Sequence, residues 1–231
     1  MKKIAIGCGV VLLILTVAGG FAAWYAYRKA SGMYADARSK FDSTVAGFTE
    51  LGKVPDIERT VRNATPYSPP SSGEMTSDQL TKYLAVQAQV RRTLGDRFKV
   101  LNDKHQALME RVNKQQQSAF DLPEIVDTYK DLAVLYVQGK QAQADALNVQ
   151  GLSFSEYRWI QMQASAAIGM PVMTMDVAKT IEDFKEGRSV DQSQRPVTLP
   201  AGPSGPEANK KLVAPHQKAL EDTAALTFFG L

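Results

Sequence analysis

The 231-residue sequence has one cysteine, Cys8, and two histidines, His105 and His216. A single cysteine excludes an intramolecular disulfide, and it also excludes a zinc site built on thiolates. Neither histidine has a partner at Glu-x-x-His or His-x-x-x-His spacing, and each falls on the apolar side of a predicted helix. We therefore expect both to be core residues, and the sequence predicts no metal site and no cofactor.

Motifs for nucleotide binding and for nucleophilic catalysis are also missing. The sequence contains no Gly-x-Ser-x-Gly, no Walker loop and no dinucleotide-binding glycine pattern. The net charge is +3, from 27 basic and 24 acidic residues, and four of the basic residues flank one apolar run near the start. The rest of the chain therefore offers no basic face for nucleic acid. These features favour a non-enzymatic protein with no nucleic-acid partner.

The apolar run covers residues 4–26 and contains no charged residue. As an α-helix it would be about 34 Å long, which is enough to cross a hydrocarbon core of about 30 Å. Trp24, Tyr25 and Tyr27 lie at its far end, where aromatic rings favour the membrane interface. We therefore predict that residues 1–29 form a cytoplasmic head and a transmembrane anchor in the lipid bilayer.

The anchor competes with three other interpretations of this run. A cleaved signal peptide stays open, because Gly20 and Ala22 form a small-x-small cleavage site. A lipoprotein signal is disfavoured, since the apolar run follows Cys8 instead of preceding it. A buried helix of a soluble protein would need a large core to cover all its faces.

The orientation of the anchor in the membrane depends on the basic residues at the two ends of the apolar run. Basic residues flank both ends of the run, so their count alone does not fix the orientation. A short Lys2-Lys3 head before one span is typical of a single-pass protein whose head stays in the cytoplasm. We predict a location in the cell inner membrane, with the C-terminal domain in the periplasm or outside the cell.

The rest of the chain shows helical periodicity and no strand-like alternation. We predict an all-α fold, in which the N-terminal transmembrane helix is followed by an extramembrane helical bundle. The segments in order are a helical stalk in residues 30–62, a Pro/Ser-rich connector in 63–75, a helical bundle in 76–188, a Pro/Gly-rich linker in 189–206, and a C-terminal helix in 207–231 that packs on the bundle.

The helix boundaries come from local signals. The stalk helix should end near Gly52, and Thr76 and Gln79 have the spacing of a capping box that starts the next helix. That helix should continue for roughly 36 residues, far beyond the usual length, with a heptad seam from Leu94 onward. The pattern is typical of a bundle or a coiled-coil pair.

Later boundaries follow from glycine, proline and a second capping pattern. One helix should end at Gly139, and Ser153 with Glu156 should form a capping box for another. The last helix should cover residues 209–229, and Pro215 should either kink this helix or mark its real start.

The densest cluster of functional groups after the anchor is Glu156-Tyr157-Arg158-Trp159, in the first turn of a predicted helix. A helix N-terminus can bind an anion, Arg158 can pair with a carboxylate or phosphate, and Trp159 can stack on a ring. Tyr157, Arg158 and Trp159 are therefore candidate ligand-binding residues, and no catalytic residue is assigned. In the structural alternative, Glu156 caps the helix and Arg158 covers two packed aromatic rings.

Three segments carry a resemblance to other proteins: residues 79–84, with the pattern Leu-Thr-x-Tyr-Leu; residues 152–160, with Leu-Ser-x-x-Glu-Tyr-x-Trp-Ile; and residues 209–231, which end in Gly-Leu. With the N-terminal span and the Pro-rich connector, they make the chain resemble uncharacterised bacterial single-span envelope proteins. The resemblance implies no activity and transfers no functional residue.

These observations predict a membrane-anchored, non-enzymatic helical module at the bacterial cell envelope. We expect it to act in interaction or structure, through a protein partner or self-association. The alternative is a small-ligand-binding or enzymatic helical domain with a pocket near Tyr157, Arg158 and Trp159.

Overall fold

A computed structural model of the protein describes residues 49–115, 128, 131–173, 197–198 and 202–231. These residues belong to one compact unit, Gly47–Leu231. The predicted anchor in residues 4–26 and most of the predicted stalk lie outside the described residues. Within the described part of the chain, no helix combines the length and the apolar character needed to cross a bilayer.

The described part is helical, as predicted, apart from one short strand pair. The elements in chain order are α1 (Val54–Glu58), α2 (Ser77–Leu94), a 3₁₀ turn (Gly95–Arg97), α3 (Phe98–Gln115), α4 (Ala133–Gln150), α5 (Phe154–Ile168), β1 (Val172–Met173), β2 (Val197–Thr198), α6 (Glu207–Val213), a second 3₁₀ turn (Ala214–His216), α7 (Gln217–Asp222) and α8 (Ala224–Phe228). The two strands pair antiparallel, with Val172 opposite Thr198.

The capping box that starts α2 is present as predicted. The Thr76 hydroxyl accepts a hydrogen bond from the Gln79 N–H, and the Gln79 carboxamide oxygen accepts one from the Thr76 N–H, at 3.2 and 3.0 Å. These two bonds satisfy backbone donors that a helix start leaves unpaired. From here α2 packs along α4, with which it makes the most extensive helix contact of the described unit.

The prediction of one long helix from Thr76 is wrong, because the helix is interrupted at Gly95. Gly95 has φ +52°, a conformation that a residue with a side chain rarely adopts, and α3 starts after one 3₁₀ turn. The heptad positions nevertheless stay buried across the break, at Leu94, Leu101 and Leu108. Hydrophobic spacing alone therefore does not reveal the interruption of the helix.

The predicted helix end at Gly139 is also wrong. Gly139 lies in the interior of α4, which continues to Gln150 and ends at Gly151 with φ +69°. A methyl group added at Gly139 would lie 2.6 Å from Cδ1 of Leu231. The glycine is therefore explained by the close approach of the last residue in the sequence, and not by a helix boundary.

The C-terminal helix is divided more finely than predicted. Pro215 lies in the 3₁₀ turn between α6 and α7, which agrees with a kink, and Thr223 separates α7 from α8. After α8, Gly230 has φ +72°, and the N–H of Leu231 donates to the carbonyl of Leu226 at 2.9 Å. This turn places Leu231 fully inside the core.

Residues assigned to the stalk and the connector contribute to the folded unit. The first helical segment ends at Leu51, next to the predicted Gly52, and the side chains of Leu51, Val54 and Val61 are buried. Helix α1 packs on α4. The connector then lies along α5, where the N–H of Tyr67 donates to the hydroxyl of Ser155 at 2.9 Å.

His105 is partly buried on α3, in agreement with the expected core position, whereas His216 is exposed. The His105 ring lies 5.0 Å from the Phe228 ring of α8, measured between centroids. Burial lowers the pKa of His105 to about 4, because the charged imidazolium loses its hydration there.

We predict that replacing Gly139 with alanine destabilises the protein by about 1–3 kcal/mol, although the same change at an exposed helix site stabilises by up to about 1 kcal/mol. The cause is the clash with Leu231. Adding Leu231→Ala should remove the penalty of Gly139→Ala, so the two effects on urea-induced unfolding should be strongly non-additive. Additive effects would show that Leu231 does not occupy this position.

We also predict acid sensitivity through His105. Its pKa is near 6.5 when unfolded and about 4 when folded, so the fold favours the neutral ring. The corresponding stability is present above pH 6.5 and is lost as the pH falls toward 4. His105→Leu should therefore reduce the loss of unfolding free energy between pH 7 and pH 4.5. Equal pH profiles for the wild type and His105→Leu would contradict this assignment.

Candidate functional site

Three segments far apart in the sequence meet in the core of the described unit. The Tyr83 ring of α2 lies 5.2 Å from the Tyr157 ring of α5, and the Tyr83 hydroxyl is 2.9 Å from the hydroxyl of Thr227 in α8. The Tyr157 hydroxyl donates to the carbonyl of Leu231 at 2.7 Å. Each of the segments that carry the sequence resemblance therefore contributes a side chain or backbone group to one buried cluster.

Gln87 of α2 provides a second donor to the same carbonyl. Its side-chain amide donates to the carbonyl of Leu231 at 2.7 Å and also to the hydroxyl of Tyr157. The other side-chain atom, Oε1 of Gln87, has no hydrogen-bond partner among the described residues. The two acceptors therefore set the orientation of this amide.

Gly230 is held by two residues of α4. The ammonium group of Lys140 donates to the carbonyl of Gly230 at 2.9 Å and to the side-chain oxygen of Gln143 at 3.1 Å. The side-chain amide of Gln143 donates to the carbonyl of Gly230 at 3.3 Å. We call the four donors Gln87, Lys140, Gln143 and Tyr157 the carbonyl clamp.

Lys140 is a charged group almost entirely inside the protein. Its side chain is 8% exposed, and its ammonium lies 3.2 Å from a carboxylate oxygen of Glu58 in α1. The rings of Tyr136 and Phe154 lie 5.6 and 5.2 Å from the same nitrogen, measured to their centroids. A buried charge is tolerated when it is paired and hydrogen-bonded, and here a carboxylate, a carbonyl and two ring faces surround it.

The two core tyrosines stay protonated at neutral pH. Burial raises the pKa of Tyr83, because the phenolate would lose its hydration. The pKa of Tyr157 is raised in the same way, chiefly by burial and further by the neighbouring Tyr83. Each hydroxyl therefore acts as a neutral hydrogen-bonding group.

The predicted ligand-binding residues lie in three different environments. Tyr157 is buried in the clamp, Arg158 is exposed, and Trp159 is half-buried with its ring 5.1 Å from the ring of Tyr67. Successive residues of a helix point about 100° apart, which explains this separation. Ligand binding at Arg158 and Trp159 remains a prediction, and a ligand that reached the Tyr157 hydroxyl would compete with Leu231.

Glu156 does not complete a second capping box. The Ser153 hydroxyl accepts the N–H of Glu156 at 3.2 Å, as predicted for the start of α5. The Glu156 carboxylate instead accepts a hydrogen bond at 2.8 Å from the side-chain amide of Gln79. It therefore connects the starts of α5 and α2, which local spacing could not reveal.

Three members of the clamp were missed in the sequence, although a signal for them exists. Gln87 stands four residues after Tyr83 and three before Val90, so it occupies a core position of the helical repeat. Lys140 and Gln143 occupy core positions of α4 in the same way. A polar residue at an apolar position of the repeat indicates a buried polar contact.

The described residues contain no group of three or more His, Cys, Asp or Glu side chains placed to hold a metal ion. The donors of the carbonyl clamp are directed at the chain's own backbone. Comparison of the chain with protein-family models, with curated protein sequences and with solved structures found no match.

We predict that Tyr157→Phe destabilises the protein by about 1–2 kcal/mol, because it removes a buried donor to Leu231 and an acceptor for Gln87. Tyr67→Phe is the matched control, since it removes a hydroxyl that accepts a hydrogen bond from Gln79 near the surface. Its effect on the unfolding free energy should stay below about 0.5 kcal/mol. Equal losses of unfolding free energy for Tyr157→Phe and Tyr67→Phe would contradict a stabilising role of the carbonyl clamp.

Proposed function

We propose that the protein is a membrane-anchored, non-enzymatic helical module at the bacterial cell envelope, acting as a structural or interaction unit. The single observation that supports this most is the use of the buried polar side chains. Gln87, Tyr157, Lys140 and Gln143 all bind the carbonyls of residues 230–231. This arrangement stabilises the shape of a helical body, as a binding or structural module requires.

Attachment to the membrane is supported by the apolar run of residues 4–26 and its aromatic border. In this proposal the anchor stays uncleaved in the inner membrane, and the helical unit lies in the periplasm or outside the cell. The partner is a protein of the same compartment or a second copy of the chain. The anchor would raise the local concentration of either partner.

The outer faces of the helices are compatible with such a role. Ion pairs join residues one helical turn apart, such as Lys82 with Asp78 at 2.7 Å and Lys218 with Asp222 at 3.3 Å. Exposed pairs of this kind add little stability but keep a surface soluble. Val134 and Val149 of α4 are also exposed, at 56% and 81%, so apolar contact area is available on this helix.

Ligand binding is the second candidate, and one observation favours it. The Tyr67 and Trp159 rings are in contact, and Arg158 is exposed beside Trp159 in the sequence. A planar anion can stack on an aromatic ring and pair with a guanidinium. Titration with such a compound should then change the Trp159 fluorescence of the wild type and not of Arg158→Ala. No saturable change for any of a set of planar anions would argue against this candidate.

Fractionation of cells that express the full chain tests the anchor. We predict that the protein sediments with membranes, resists extraction with carbonate and is released by detergent, with an intact mass that includes residues 4–26. Replacing Leu12 and Ile14 with arginine should move it to the soluble fraction or prevent its accumulation. Val134→Arg with Val149→Arg, which adds the same charges at exposed positions, should leave it in the membrane.

Two results would contradict the anchor. Recovery of the full-length wild type entirely in the soluble fraction would remove it, and a mature protein that starts after Ala22 would replace it with a cleaved signal peptide. Cross-linking in intact cells then tests the interaction role. It should yield a reproducible adduct with a defined protein or with a second copy, and repeated failure to form any adduct would count against that role.

A further inference from the structure

The outer face of α4 carries one continuous stripe of exposed side chains. Successive members are four, three, four and four positions apart in the sequence: Val134, Gln138, Gln141, Asp145 and Val149. An α-helix turns by 100° per residue, so these steps keep all five side chains within a sector about 80° wide. We call these residues the α4 stripe. Its two ends are apolar, because a valine lies at each.

The α4 stripe is nearly symmetric about its middle residue, Gln141. Val134 and Val149 lie seven and eight positions away from it, and Gln138 and Asp145 lie three and four positions away. A two-fold axis through an antiparallel pair of identical helices exchanges such positions. An axis near Gln141 would therefore bring Val134 of one copy to Val149 of a second copy, and Gln138 to Asp145.

The charges beside the stripe fit the same pairing. The Arg97 guanidinium donates a hydrogen bond to the side-chain oxygen of Gln138, and the Asp145 carboxylate accepts one from the Gln141 amide at 3.1 Å. Both Arg97 and Asp145 are exposed, and among the described residues neither has an ion-pair partner. Gln138 and Asp145 are two helical turns apart, about 10 Å, so Arg97 does not reach the Asp145 of its own copy.

The antiparallel arrangement removes this separation. Gln138 of one copy lies opposite Asp145 of the other, so the guanidinium held at Gln138 meets a carboxylate. By symmetry the same pair forms twice in one dimer. The stripe and its neighbouring arginine are thus complementary in charge to themselves, which favours a second copy over an unrelated protein as the occupant of this face.

We propose that the α4 stripe is a self-association surface, on which a second copy of the chain docks antiparallel. Val134 of each copy is covered by Val149 of the other, and Arg97 of each copy pairs with Asp145 of the other. One pair of helices is a small interface compared with those of stable dimers. Its occupancy therefore rests on the proposed function, because a membrane tether raises the local concentration of the copies.

Disulfide cross-linking of the full chain in cell membranes tests the pairing. A Cys8→Ser background removes the one native cysteine. Residues 134 and 149 of one helix are about 22 Å apart, so a disulfide between them must join two copies. The double variant Val134→Cys with Val149→Cys should therefore form a covalent dimer on oxidation.

Single cysteine variants distinguish the antiparallel pairing from other contacts. Val134→Cys alone should form dimers about tenfold more slowly than the double variant, because its two copies lie at opposite ends of the interface. Gln141→Cys, close to the axis, should form dimers on its own. Equally fast dimer formation by Val134→Cys alone and by the double variant would overturn the antiparallel pairing. Absence of dimers from both the double variant and Gln141→Cys would overturn self-association through this face.

Reversal of charge tests the contact between Arg97 and Asp145. In the double-cysteine background, Arg97→Glu and Asp145→Arg should each slow dimer formation about tenfold, since each creates two like-charge contacts per dimer, and their combination should restore the original rate. Arg92→Glu is the matched control, because Arg92 is an exposed arginine that contacts Gln89 of its own helix. An equal loss for Arg92→Glu, or no recovery in the combination, would contradict the proposed contact.

The result also separates this surface from the proposed function. A reproducible adduct with a different defined protein, together with no disulfide between positions 134 and 149, would overturn self-association and leave the interaction role intact. A full-length chain that is recovered in the soluble fraction and still forms the disulfide would remove the anchor and support the docking surface.

Discussion

The backbone oxygens of Gly230, which is partly buried, and of Leu231, which is in the core, both need hydrogen-bond donors, and this constraint explains much of the structure. A buried backbone carbonyl without a donor destabilises a fold by an amount comparable to a lost hydrogen bond. Three helices supply the missing donors: Gln87 from α2, Lys140 from α4 and Tyr157 from α5. The final residues thus bring helices together that lie far apart in the sequence.

Further features of the fold follow from the same constraint. Leu231 needs space beside α4, and Gly139 provides it, because any side chain there would meet the leucine. The buried ammonium of Lys140 needs a counter-charge, and Glu58 of α1 supplies it, so residues before the bundle become part of the unit. Tyr83 packs against the clamp and reaches α8 through its hydroxyl. One polar cluster therefore accounts for the glycine at position 139, for the ion pair between Glu58 and Lys140, and for the docking of α8.

Local signals allowed a good part of the fold to be predicted, because capping and periodicity depend on residues a few positions apart. Thr76 and Ser153 start helices where their side chains predict it. The prediction failed at two glycines, because Gly95 interrupts a helix that the periodicity continues, and Gly139 is required by a residue distant in sequence. Tyr157 was selected as a ligand residue, but its role depends on tertiary contacts that no local pattern contains. The anchor, which carries the proposed function, depends on composition alone and lies outside the described residues.

The central claim is that Leu231 is docked against Gly139 in the core of the protein. Nuclear Overhauser spectroscopy of the protein in micelles, with labelled leucine methyl groups, measures this proximity directly. The account predicts strong cross-peaks between the Leu231 methyl protons and the α-protons of Gly139. Leu231 methyl signals at random-coil positions, with no cross-peak to α4, would contradict it.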